Sequence, residues 1–173
     1  MAAPRPARAQ RGPALRTPLQ DRLTSPWLTI RAQIVLAGIF ILAGALKIAD
    51  PPGFAHEIHN YALVPERLVS PMALILPWLE VVAGLALFLG VWRRAAAGIF
   101  AVLLVVFIVA LSIDLVRGKP VDCGCFGTSS VPKTEAQRLT EMKVAIGRDV
   151  LLLLLAGQIL WAVPRPSRRL PPR

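Results

Sequence analysis

Four stretches of this chain, residues 29–49, 72–92, 95–116 and 144–163, are nearly continuous runs of Leu, Val, Ile, Ala, Phe and Gly. An α-helix needs about 20 residues to cross a hydrocarbon core about 30 Å thick, so each run is long enough to span a membrane. Composition agrees: 55% of residues are hydrophobic and 17% charged, against about 25% charged in an ordinary soluble domain. The third run is the cleanest, with 19 uncharged residues between Arg94 and Asp114. The first and fourth hold 15 each, bounded by Arg31 and Lys47 and by Asp149 and Arg165, so their end charges must snorkel or face protein. No amphipathic helices with broad polar faces remain to cover a soluble core. The expected fold is an all-α membrane protein, a four-helix transmembrane bundle with short interfacial helices in its outer loops.

The net charge of +10 does not imply nucleic acid, because a basic groove needs folded soluble surface to carry it. It reads as topology instead. With four spans, the N-terminal tail, the loop after span two and the C-terminal tail share one side, which carries twelve basic residues against the single acid Asp21. On the other side, counting span ends, eight basic and eight acidic residues balance, and only Glu80 is left over. Both termini are therefore expected in the cytoplasm. Residues 1–28 read as a disordered basic tail without the apolar segment of a secretory signal, 29–163 as the membrane domain and 164–173 as a second basic tail.

The loop over residues 50–71 contains Phe54, Ile58, Tyr61 and Ala62 at helical spacing, which predicts a short helix in the interface, stopped by Pro65. On its other side His56 and His59 sit three apart. That spacing can place two imidazoles on one metal, although two His without a fixed third ligand read more simply as a solvated face. The second outer loop, 117–143, contains both cysteines in the run Asp122-Cys123-Gly124-Cys125-Phe126-Gly127. An outer face permits disulfides. A bridge between cysteines two apart lies towards the strained end of disulfide geometry, and strain marks labile, exchanging bridges. So short a loop adds little as a staple. Further on, the Thr134-Glu135-Ala136-Gln137 capping box starts a helix with Leu139, Met142 and Ile146 on one side, expected to run into span four.

Glu80 lies at depth, and a carboxylate there must be protonated or paired inside the bundle. Gly84, one turn further on, lets a neighbouring helix approach closely. Lys47 and Arg148 are the available cations, with Asp114 and Asp149 at similar height. These groups either pair to hold the helices in register or, as Lys47, Glu80 and Arg148, form a polar pocket for a cofactor such as a quinone headgroup.

Together, Lys47 with Asp50-Pro51, Tyr61 to Pro65, Pro77 to Glu80, the Asp122 to Gly127 run and Arg148-Asp149 resemble the MauE branch of the MauE/DoxX family across residues 30–163. The resemblance implies a multi-pass protein of the bacterial inner membrane associated with thiol redox chemistry. In methylamine utilisation, it implies support for maturation of the disulfide-rich small subunit of methylamine dehydrogenase. DoxX relatives are associated with quinone-linked sulfur oxidation. Disulfide-forming proteins of the DsbB and vitamin K epoxide reductase kind relay electrons between two cysteine pairs, whereas this chain has one. Cys123 and Cys125 are therefore expected as catalytic thiols that exchange electrons with a periplasmic thioredoxin-like protein, a disulfide-rich client or a membrane quinone. The alternatives are a soft-metal (Cu or Zn) site on Cys123, Cys125, His56 and His59, or a non-catalytic anchor subunit for a periplasmic redox partner.

Overall fold

The structure is a computed structural model that describes residues 25–119 and 134–163; the two tails and the run with Cys123 and Cys125 lie outside the described residues. Among these residues there are five helices and no strand: α1 Pro26–Ala49, α2 Pro51–Asn60, α3 Glu66–Phe88, α4 Arg93–Val116 and α5 Glu135–Ala162. All but α2 are long and apolar enough to cross a membrane. The chain is a multi-pass membrane protein, all-helical among the described residues, as expected.

Local chemistry explains where each helix begins and ends. Pro26 opens α1 from the first turn, where its missing N–H costs nothing. Asp50 caps α2 by accepting a hydrogen bond from the Gly53 N–H at 3.0 Å. The short helix does not run to Pro65. It ends at Asn60, with Ala62 in the left-handed region at φ 49°, and Pro65 instead occupies the N-cap of α3. α3 accordingly starts at Glu66 rather than 72 and stops at Phe88 rather than 92. Leu89, Val91 and Trp92 are apolar but lie in a turn, because Gly90 at φ 73° closes α3 with Gly90 N–H to Leu87 O and Val91 N–H to Ala86 O. The Thr134–Gln137 capping box forms in both directions, and α5 runs unbroken for 28 residues.

The four long helices alternate in direction and pack in a ring, α1 beside α3, α3 beside α4, α4 beside α5 and α5 beside α1. Across one diagonal Phe40 of α1 stacks on Phe100 of α4, with ring centroids 4.0 Å apart. Around that stack lie Leu36, Ala97, Leu104, Leu152 and Ala156. α2 folds over α3 through Phe54, Ile58, Val69 and Ala73. At one end of the bundle Trp27, Trp92 and Trp161 are all exposed, as expected of a belt at a membrane interface. We call this the tail end and the opposite one, with α2, the loop end. At the tail end the Arg94 guanidinium donates to the carbonyls of Leu160 and Val163, closing the C-terminus of α5.

Hydrophobicity is distributed the reverse of a soluble protein. Leu, Val, Ile and Trp side chains dominate the exposed surface, while Lys47, Glu57, Glu80, Asp114 and Asp149 are buried. Only a hydrocarbon solvent makes that arrangement favourable.

α1 and α3 touch most closely at two glycines. A Cβ on Gly44 would lie 2.8 Å from both Pro77 O and Val81 Cγ2, and one on Gly84 would lie 2.7 Å from Ile41 Cγ1. Gly84 thus admits the neighbouring helix as its position suggested. Replacing Gly44 by Ala is expected to force the helices apart at a cost of about 1–3 kcal/mol, measured as a lower melting temperature of the purified protein in detergent. Gly38→Ala, where nothing lies within 4 Å, should leave that temperature unchanged or raise it.

Candidate functional site: a buried charge cluster

Side chains on a helix tilt towards its N-terminus. α1 and α3 are antiparallel, so Lys47, in the last turn of α1, leans towards the bundle centre, while Glu80 of α3 leans back towards the loop end. The close glycine contact one turn below lets them meet. Lys47 Nζ donates to both Glu80 oxygens, at 2.7 and 2.9 Å, with side chains 4% and 1% exposed. Because α3 starts at Glu66, Glu80 sits near the middle of its helix, deeper from its N-terminus than a start at Met72 would put it. Two rings cover the ammonium: the centroid of Phe54, on α2, is 4.9 Å from Nζ and that of Phe107, on α4, is 5.2 Å away. The pair therefore draws on every element except α5.

α5 contributes a second pair beside the first. Arg148 folds onto its own neighbour, donating from Nε and Nη2 to Asp149 Oδ1 at 3.0 and 2.8 Å. Consecutive residues point about 100° apart on a helix, and the long guanidinium arm bridges that angle. Lys47, Glu80, Arg148 and Asp149 all line one cavity with Phe40, Phe107 and Leu152. The four formal charges cancel. The cavity measures about 30 Å³, the room of a water molecule, whereas a benzene-sized ring needs about 150 Å³. Structural pairing and a polar pocket thus coincide here, on the scale of a water rather than of a cofactor ring.

Asp114 lies nearer the loop end, on α4. It is 1% exposed, with Arg117 Nη1 at 3.9 Å, and its Oδ2 has no hydrogen-bond partner among the described residues. α4 closes directly above it: Gly118, at φ 66°, donates to Leu115 O and Lys119 N–H donates to Asp114 O. Residue 119 therefore leaves the bundle from a fixed point, and Thr134, the N-cap of α5, is the other fixed end of the segment 120–133. Cys123 and Cys125 belong to that segment, outside the described residues. On α2 the apolar face is buried through Phe54 and Ile58, followed by Tyr61, while His56 and His59 are exposed on the other side. Among the described residues no three His, Cys, Asp or Glu side chains gather as a metal-binding set.

Sequence reasoning named Lys47, Glu80 and Arg148 but not which cation takes the carboxylate. It also missed the two rings. Phe54 carried a signal, its place on the buried face of α2. Phe107 carried none, since it is one of many apolar residues in the most uniform span.

The family model described as methylamine utilisation protein MauE matches residues 25–162. The chain belongs to the MauE family. The methylamine utilization protein MauE of Methylorubrum extorquens is 34% identical over 143 residues, covering 82% of this chain and 73% of that protein. The MauE of Methylophilus methylotrophus is 29% identical over 150 residues, 86% of this chain and 74% of that one. In Paracoccus denitrificans the MauE match is 32% over 109 residues, 62% and 59% respectively. No solved structure matches the chain. The MauE region takes in all five helices and every member of the charge cluster.

Removing one partner of a buried ion pair strands the other charge, at about 3–5 kcal/mol, whereas replacing both by apolar side chains is often neutral. Lys47→Met and Glu80→Leu are therefore each expected to lower the melting temperature in detergent clearly. The double variant should recover most of the loss. Additive losses in the double variant would show that the two side chains do not act as a pair.

Proposed function

We propose that this MauE-family chain is the membrane component of a thiol–disulfide system at the outer face of the bacterial cytoplasmic membrane. It supports maturation of an exported, disulfide-rich protein, which in methylamine utilisation is the small subunit of methylamine dehydrogenase. Cys123 and Cys125 cycle between dithiol and disulfide. On oxidation the Sγ–Sγ bond forms and two electrons and two protons leave. They pass either to the disulfide of a thioredoxin-like partner, which becomes a dithiol, or to a membrane quinone, which becomes a quinol. Reduction by a client's thiols reverses the first step.

The observation that carries this reading is the tethering of the Cys-Gly-Cys segment. It is bounded by a closed helix end at Gly118-Lys119 and a capping box at Thr134, both at the loop end, where Lys47, Asp114 and Asp149 lie. The segment that carries both cysteines therefore starts and ends at one face of the bundle. The names of the relatives support the pathway. The distribution of Lys and Arg supports an orientation with both termini in the cytoplasm and the loop end outside.

Alkylation of intact cells with a membrane-impermeant maleimide tests both orientation and chemistry. The cysteines should be labelled only after reduction from outside, and a Cys125→Ser variant should accumulate a mixed disulfide through Cys123 with a periplasmic protein. Thiols that stay reduced under all oxidising conditions would overturn the redox reading. Normal client maturation in the Cys123→Ser/Cys125→Ser variant, with loss on deletion of 120–133, would instead establish an anchoring role.

A further inference from the structure

A second, larger space lies on the other side of Phe107. It measures about 290 Å³ and sits between α2, α3 and α4, roughly twice the cavity of about 150 Å³ that takes one benzene ring. Its walls are hydrocarbon: Phe54 and Ile58 of α2, Met72 and Leu76 of α3, and Leu103 and Phe107 of α4. The two polar side chains beside it, Glu57 and Tyr61, are buried and already engaged with other groups. The walls therefore call for an apolar occupant. The space is open at Leu63 and Val106, which are 37% and 58% exposed.

Its length and its upper end narrow the choice. Leu63 lies in the turn before α3, at the loop end, while Leu76 and Val106 each lie ten residues along their helices from that end. Ten helical residues rise about 15 Å, half of a hydrocarbon core about 30 Å thick. The space is thus a slot from the membrane interface to the mid-plane, open sideways to the bilayer, and follows the path of one acyl chain in one leaflet. Leu103, Ala110 and Arg117 recur at intervals of seven, so Arg117 stands above the slot on the same side of α4 as these two lining residues. Its side chain is 47% exposed and 3.9 Å from Asp114 Oδ1, beyond hydrogen-bonding distance. The guanidinium therefore keeps donors for a phosphate oxygen. An apolar slot one leaflet deep with a cation at its head complements a phospholipid in both parts.

We propose that the α2–α3–α4 slot is a phospholipid site, in which one acyl chain from the leaflet at the loop end fills the slot and the lipid phosphate sits at Arg117. The site does not depend on the thiol reading above. α2 packs on α3 through Phe54 and Ile58, and a chain seated against both residues ties this short helix to α4 as well. Phe54 and Phe107, the rings that cover the Lys47 ammonium, are also walls of the slot. A bound chain thus keeps water away from the ion pair on that side.

The test is photocrosslinking of the full chain in dodecyl maltoside with a phosphatidylglycerol that carries a diazirine at the middle of one acyl chain, mapped by peptide mass spectrometry. Label is expected on the slot walls of α3 and α4, around Leu76 and Leu103. Excess unlabelled dioleoyl phosphatidylglycerol should reduce it at least tenfold, and dioleoylglycerol, which has the same chains without the phosphate, should not. Arg117→Gln should weaken labelling at limiting lipid by about fivefold, the effect of one cation at a membrane surface, without moving the labelled positions. Ala110→Trp fills the slot and should abolish the protectable label. Val109→Trp, on the lipid-facing side of the same helix, should leave it intact. Label in the parent chain that excess phosphatidylglycerol does not displace would reduce the slot to ordinary lipid-facing surface and overturn the proposal. So would equal displacement by dioleoylglycerol, or protectable label that survives Ala110→Trp.

Discussion

The buried pair of Lys47 and Glu80 is the contact on which the arrangement of the helices turns. A charge in hydrocarbon must find its counter-charge, and here the two come from different helices, so the pair forms only if α1 and α3 approach closely and in one register. Gly44 and Gly84 make that approach possible, and the tilt of side chains towards helix N-termini aims the groups at each other across an antiparallel contact. α2 then has a defined place, because Phe54 covers the ammonium while its neighbours seal against α3. Phe107 brings α4 to the same point. Arg148 and Asp149 complete a neutral set of four charges around a space the size of a water.

The interior is divided along its length. Towards the loop end it holds the charge cluster and Asp114. In the middle Phe40 stacks on Phe100 amid Leu36, Leu104 and Leu152. Towards the tail end polarity returns weakly, where Gln158 donates to Thr29 Oγ1 at 3.0 Å and Gln33 is buried nearby on α1. An apolar layer thus separates the ionisable groups from the tail end.

Much of the fold was legible in the sequence because a bilayer imposes a length and a polarity that composition records directly. The four spans, the helical spacing of Phe54 and Ile58, and the capping box at Thr134 are local patterns, and each forms, the spans with shifted ends. Helix ends were less legible. Pro65 and Gly90 mark boundaries, but whether a proline ends one helix or begins the next depends on the chain's path: Ala62 had already ended α2. Of the site, Lys47, Glu80, Arg148 and Asp149 stood out as ionisable residues in apolar runs, while Phe107 was invisible among equivalents.

By itself the sequence determined that the chain is a membrane bundle, which residues are out of place in hydrocarbon, and that its only two cysteines lie in one loop between the third and fourth spans. Those conclusions need only the energetic difference between lipid and water acting residue by residue. The tertiary structure decided which charges pair and that the space between them has the size of a water rather than of a ring. Pairing and volume depend on the distance and rotation between helices, which close contacts at Gly44 and Gly84 set and no single segment records.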